Sequence, residues 1–180
     1  MPSALIFIAD GTEEMELLDD STITYDTLVR AGIETQSVFV PEPKDSISAG
    51  LDKFDVLVIP GGAKGAETIS QDSQVQALVR AYLAQNKLVG MICAGSLAAL
   101  TSNLPKQPLT SHPGVKSELV EKSIEFNYSE DSVVVSGNLI TTRGPGTTFP
   151  FALTLVERLC GKEKRAEVHG PMVFPAGTPW

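Results

Sequence analysis

Hydrophobic and polar positions alternate between two rhythms along this chain, short unbroken apolar runs and longer stretches of helical spacing. Ala4 to Ala9 is almost continuously apolar, as a strand covered on both faces requires. Glu13 to Arg30 then carries Met15, Leu18, Ile23, Leu28 and Val29 at near-helical intervals and stops at Ala31-Gly32, so one helix is expected there. Gln36 to Val40 reads as a second strand, Pro41 to Lys53 as loop, and Phe54 to Ile59 as a third strand ending in Pro60-Gly61-Gly62. A helix over Ser73 to Gln85 leads to a strand at Leu88 to Ile92, and Gly95 to Thr101 opens the next helix. A Pro-rich loop, a short helix over Gly114 to Glu121, strands at Val133 to Val135 and Leu139 to Thr142, and a helix over Phe149 to Leu159 closed by Gly161 complete the pattern. Strands separated by helices of this length specify a doubly wound, mainly parallel α/β sheet with right-handed crossovers, built as one domain over residues 1–180.

In such a sheet chemistry collects where strands end and helices begin. Four turns meet that condition: Asp10 to Glu16, Pro60 to Gly65, Cys93 to Ser96, and Arg143-Gly144-Pro145-Gly146-Thr147. The third is the most informative, because an apolar strand runs straight into Cys93-Ala94-Gly95-Ser96 and then a helical pattern. A cysteine at a sharp strand-to-helix turn is lifted out of the sheet and faces helix N–H groups, which favours the nucleophilic thiolate. The plainer alternative is a free cysteine buried as a small hydrophobe. Gly61 and Gly62 carry no side chain to obstruct a ligand, so their N–H groups, with that of Ala94, are candidate donors to an oxyanion. Glu16 is either a solvated charge aligned with its helix dipole or a carboxyl that exchanges protons with the thiol. His112, in a loop before Pro113, is either structural or a proton shuttle. Cys160 shares a helix face with Ala152, Leu155, Val156 and Leu159 and is expected to pack in the core, while Thr147 is expected to cap the last strong helix.

Composition narrows the function classes. The 180 residues are 42% hydrophobic and 20% charged, as in globular proteins, and the net charge of −8 opposes binding to nucleic acid or an anionic membrane. Met1 to Asp10 lacks a basic leader and reads as the first strand, not a signal peptide. Two cysteines, in contexts that suggest neither a metal cluster nor a disulfide framework, fit a reducing cytoplasmic or nuclear setting and no metal.

Five blocks together resemble the signatures of the DJ-1/PfpI superfamily, most closely its DJ-1 branch: Asp10-Gly-Thr-Glu-Glu-Met-Glu16, Val58-Ile-Pro-Gly-Gly62, Met91-Ile-Cys-Ala-Gly95, Ser111-His-Pro113 and Arg143-Gly-Pro-Gly-Thr147. The resemblance covers nearly the whole chain. It implies a flavodoxin-like fold, a homodimer, Cys93 as an oxidation-sensitive nucleophile on a nucleophile elbow, Glu16 as the carboxyl beside it, His112 as the nearby histidine, and Gly61, Gly62 and Ala94 as backbone donors. Asp26 falls where the family often has an acidic residue close to that histidine. The implied activity is a cofactor-independent glyoxalase III type conversion of methylglyoxal or glyoxal to a 2-hydroxy acid, with the same chemistry extending to removal of aldehyde adducts from proteins. A stress sensor acting through Cys93 sulfinate is the alternative. A cysteine peptidase ranks last, because it needs a histidine directly after the nucleophile, where this chain has Ala94. Two departures fall on the pocket rim and dimer surface: the segment between Val40 and Phe54 is shorter than the family pattern, and the first helix is longer by about one turn, roughly 5 Å.

Overall fold

In the computed structural model, six strands form one sheet in the order β2-β1-β3-β4-β8-β7: β1 (Ser3–Ala9), β2 (Glu34–Val40), β3 (Val56–Ile59), β4 (Leu88–Ile92), β7 (Val133–Ser136) and β8 (Leu139–Thr142). The structure describes residues 1–9, 16–40, 53–121 and 126–180, with side chains in the first helical segment from Asp20 onward. Neighbouring strands run parallel except β7, which returns antiparallel to β8 through the Ser136-Gly137-Asn138 turn. β5 (Pro108–Leu109) and β6 (Asn127–Tyr128) make a separate two-stranded ladder. The order of the first four strands reverses between β1 and β3, which is the switch point of a flavodoxin-like sheet. The fold expected from the sequence is the fold observed.

Alternation along the central strands divides the apolar residues between two layers. Leu5, Phe7, Leu57, Ile59, Val89 and Met91 face one cluster, whereas Ala4, Ile6, Val56, Val58 and Ile92 face another. Strands covered on both faces therefore lose the polar positions that would mark a half-exposed strand. The first layer is closed by α2 (Ala63–Gln71), α3 (Ser73–Ala84) and α4 (Leu97–Thr101); the second by α1 (Thr24–Arg30), α6 (Thr148–Cys160) and α7 (Lys162–His169). In the first layer Tyr82 is fully buried, and burial, reinforced by the charge of Asp55, pushes its phenol up to about 12, so it stays neutral. In the second layer Gly90 lets Phe151 lie against the sheet: a Cβ there would stand 2.6 Å from the ring.

The periodicity missed two helices. α2 begins immediately after Gly62 and contains Gly65, and this glycine-rich start reads as a turn in the sequence. α3 has its own start, because Asp72 accepts from the N–H groups of Gln74 (2.8 Å) and Val75 (3.0 Å). α7 buries only Val168, so a charged tail conceals it; Arg165 meets Glu157 of α6 at 3.5 Å. Before α1, Glu16–Ile23 winds as a π-helix, where a regular helix was expected. Its wider i→i+5 turns absorb residues that a regular helix would have spread along its axis. Val29, expected on the buried stripe, is 47% exposed. Thr147 does not cap α6: its hydroxyl accepts from the N–H groups of Arg143 (3.2 Å) and Gly144 (3.0 Å), tightening the turn before the helix.

Candidate active site

β4 delivers Cys93 into a 3-10 turn, Cys93–Ser96, that continues directly into α4. Cys93 has φ 57°, in the left-handed region, which costs a non-glycine residue about 1–2 kcal/mol and persists only when its surroundings hold it. Several contacts do so. The carbonyl of Cys93 accepts from the N–H of His112 at 3.2 Å, and the hydroxyl of Ser96 donates to the carbonyl of Thr110 at 2.9 Å. Gly95 permits the close passage of the β3 terminus: a Cβ there would meet the carbonyl oxygens of Pro60 and Ile59 at 2.4 and 2.8 Å. The expected elbow is present, and the strain is stored at its cysteine.

Gly61 lies against this turn. A methyl group on it would stand 2.5 Å from Cys93 Cβ, 3.2 Å from Cys93 Sγ and 2.7 Å from Asp20 Oδ2. Asp20 is completely buried; its Oδ2 accepts from the Gly61 N–H at 3.2 Å and its Oδ1 from the Thr148 hydroxyl at 2.9 Å. The Gly61 N–H is therefore engaged by a carboxylate, which corrects its expected role as an oxyanion donor. Gly62, with φ 86°, opens α2, and Ala94 is buried beside the cysteine; their N–H groups are the remaining candidate donors.

His112 and Cys93 line the same cavity of about 700 Å³, together with Ala94, Leu97, Glu67 and Glu118. Nδ1 of His112 accepts from the Gly114 N–H at 3.1 Å, which in the neutral ring leaves the proton on Nε2. Its loop is tied to the turn at the end of β8 by Glu130, which binds both Lys116 (2.5 Å) and Arg143. The Lys116 hydrogen bond, followed by Arg143, holds the Glu130 carboxyl below its ordinary range. A Cβ on Gly144, in that turn, would lie 3.9 Å from both Cys93 Sγ and His112 Cδ2. The structure thus brings together Cys93, Ala94, Gly61, His112 and Gly144.

Asp26 does not join them. It is exposed on α1 and pairs with Arg30 at 2.6 Å, an i,i+4 contact on the helix surface that corrects its expected role beside the histidine. Glu16 opens the π-helix, and its side chain lies outside the described residues, as do Asp10 to Met15 and residues 41–52 of the shortened connection. Sequence reasoning missed Asp20, because periodicity cannot rank the acidic residues Glu16, Asp19 and Asp20 in a segment whose turns are π-wound. Cys160, expected in the core, sits only half-buried on α6 at the edge of the second cluster; burial raises its thiol, with Lys164 pulling the other way. Among the described residues no group of acidic, histidine or cysteine side chains could hold a metal, and no helix is long and apolar enough to cross a membrane.

A profile of the DJ-1/PfpI family matches residues 42–158. The chain is 36% identical to the glutathione-independent glyoxalase DJ-1 of Schizosaccharomyces pombe, over 97% of its own length and 100% of that protein's. It is 32% identical to the glutathione-independent glyoxalase DJR-1.2 of Caenorhabditis elegans, covering 94% and 95% of the two chains. The crystal structure of Drosophila melanogaster DJ-1beta superposes with a TM-score of 0.85 at 36% identity, covering 97% of this chain and 98% of that one.

Proposed function

The chain belongs to the DJ-1/PfpI family, and from that membership we propose that it is a glutathione-independent glyoxalase converting methylglyoxal or glyoxal to the 2-hydroxy acid through Cys93. The observation that carries the reading is a cysteine held at φ 57° at the end of β4, opening on a cavity it shares with His112. Cys93 sulfur adds to the aldehyde carbon, C1. The N–H groups of Gly62 and Ala94 are the proposed donors to the resulting hemithioacetal oxyanion. The proton on C1 then leaves and C2 is protonated, which raises C1 to a thioester and reduces C2 to an alcohol. Water cleaves the S–C1 bond, giving the 2-hydroxy acid and returning the thiol. Oxidation and reduction balance within the substrate, so the reaction needs no cofactor.

Glu16 is the proposed carrier of the proton between C1 and C2, assisted by His112. Glu16→Gln is expected to lower kcat/KM roughly 10²–10⁴-fold, the usual loss for a general acid–base residue, as read by lactate formation. The reading as a whole is tested by incubating purified protein with methylglyoxal without glutathione and measuring D-lactate. Failure to form lactate rejects it.

The same chemistry is proposed for aldehyde adducts on protein side chains, with the open cavity giving room for a group larger than methylglyoxal. The two described cysteines are free, which supports a reducing cytoplasmic or nuclear setting. A homodimer is proposed through Tyr25 and Val29, one turn apart on α1, and Phe39 on β2, which remain 40%, 47% and 39% exposed. Phe39 shares a strand face with Ser37, which lines a small cavity with Tyr25, so the three residues form one apolar surface. Light scattering is expected to give twice the 19.2 kDa chain mass.

A further inference from the structure

We propose that Asp20 is a working carboxylate of this site, receiving the proton that Cys93 loses as its sulfur attacks and passing it to the hemithioacetal oxygen. The proposal rests on the glyoxalase reading and adds to it a residue that the signature motifs do not mark. Its basis is placement. Asp20 has no exposed surface, and its Oδ2 and Cys93 Sγ pack against the same face of Gly61, 2.7 and 3.2 Å from where a Cβ on that residue would sit. A carboxylate removed from water is costly unless its environment supports it. Here one backbone N–H and one hydroxyl supply that support, at 3.2 and 2.9 Å.

The contacts also fix where the group points. Gly61 follows β3 and Thr148 begins α6, so the carboxyl is clamped between two segments distant in sequence. Asp20 lies within the π-wound segment Glu16–Ile23, and π turns are concentrated at functional sites. In the proposed step the S–H proton moves to Asp20 as the S–C1 bond forms, then to the C1 oxygen. Hydrolysis later returns a proton to sulfur, so the cycle closes with Asp20 ionised.

The experiment compares wild type, Asp20→Asn and Thr148→Val in two assays: kcat/KM for methylglyoxal, and the pH dependence of Cys93 alkylation by iodoacetamide, followed by peptide mass. Asn is isosteric; its oxygen accepts from Gly61 and its amide donates to the Thr148 hydroxyl, so the clamp survives while the proton acceptor is lost. Thr148→Val removes one arm of the clamp and keeps the acceptor. Asp20→Asn is expected to lower kcat/KM by roughly 10²-fold or more and, because an ionised carboxylate beside the thiol disfavours the thiolate, to move the alkylation midpoint downward by about half a unit or more, with Thr148→Val losing less than about tenfold. An Asp20→Asn enzyme within about threefold of wild type overturns the proposal. So does an unmoved or raised midpoint, or equal losses in both variants, which would make Asp20 an anchor only. Alkylation requires no turnover, so it tests Asp20 even in a protein that forms no lactate from methylglyoxal.

Discussion

Replacing Cys93 by serine is expected to end aldehyde consumption, with kcat/KM falling roughly 10³-fold or more and the fold retained. The two side chains are nearly the same size, so the buried turn, the His112 N–H to Cys93 carbonyl bond and the Ser96 anchor all remain. What changes is the acidity and nucleophilicity of the attacking atom, because a hydroxyl keeps its proton where a thiol gives it up. Cys160→Ser is the matched control. Cys160 lies on α6 outside the cavity, and burial raises its thiol, so its replacement is expected to leave activity unchanged. Lactate formation and thermal melts of both variants decide the matter; turnover retained in Cys93→Ser would remove the proposed mechanism.

Gly61→Ala is expected to damage both activity and stability. The new methyl group would stand 2.5 Å from Cys93 Cβ and 2.7 Å from Asp20 Oδ2, and neither atom is the free end of a flexible chain. Cys93 Cβ is fixed by the strained turn, and the Asp20 carboxyl by Gly61 and Thr148. Relief requires the end of β3 and the elbow to separate. Overpacking of this kind costs about 1–3 kcal/mol, or a fall in Tm of roughly 3–10 °C for a chain of this length. A displacement near 1 Å between sulfur and the backbone donors costs about 10²-fold in rate. Gly170→Ala, where an added Cβ meets nothing within 4 Å, is expected to change neither quantity. If Gly61→Ala kept wild-type kinetics, the contact between Gly61 and the elbow would not matter to the reaction.

The sheet, its parallel direction and the elbow were legible in the sequence because each depends on local chemistry: apolar runs without polar interruptions, turn residues after them, and small residues following Cys93. The motif blocks likewise marked Cys93 and His112, which line one cavity. That Asp20 is buried against Gly61 could not be read this way. Side-chain direction in the first helical segment depends on winding, and in this π-wound segment Asp20 lies against Gly61. The Gly61 N–H has its partner 41 residues away, and Asp20 reaches Thr148 across 128 residues, so both contacts exist only once β3, the first helix and α6 converge. Asp26 shows the converse, an acidic residue at a suggestive position that the fold turns outward to Arg30. Periodicity in a sequence specifies which face of an element is buried; the identity of a buried polar partner is set by elements distant in sequence, and tertiary packing alone decides it.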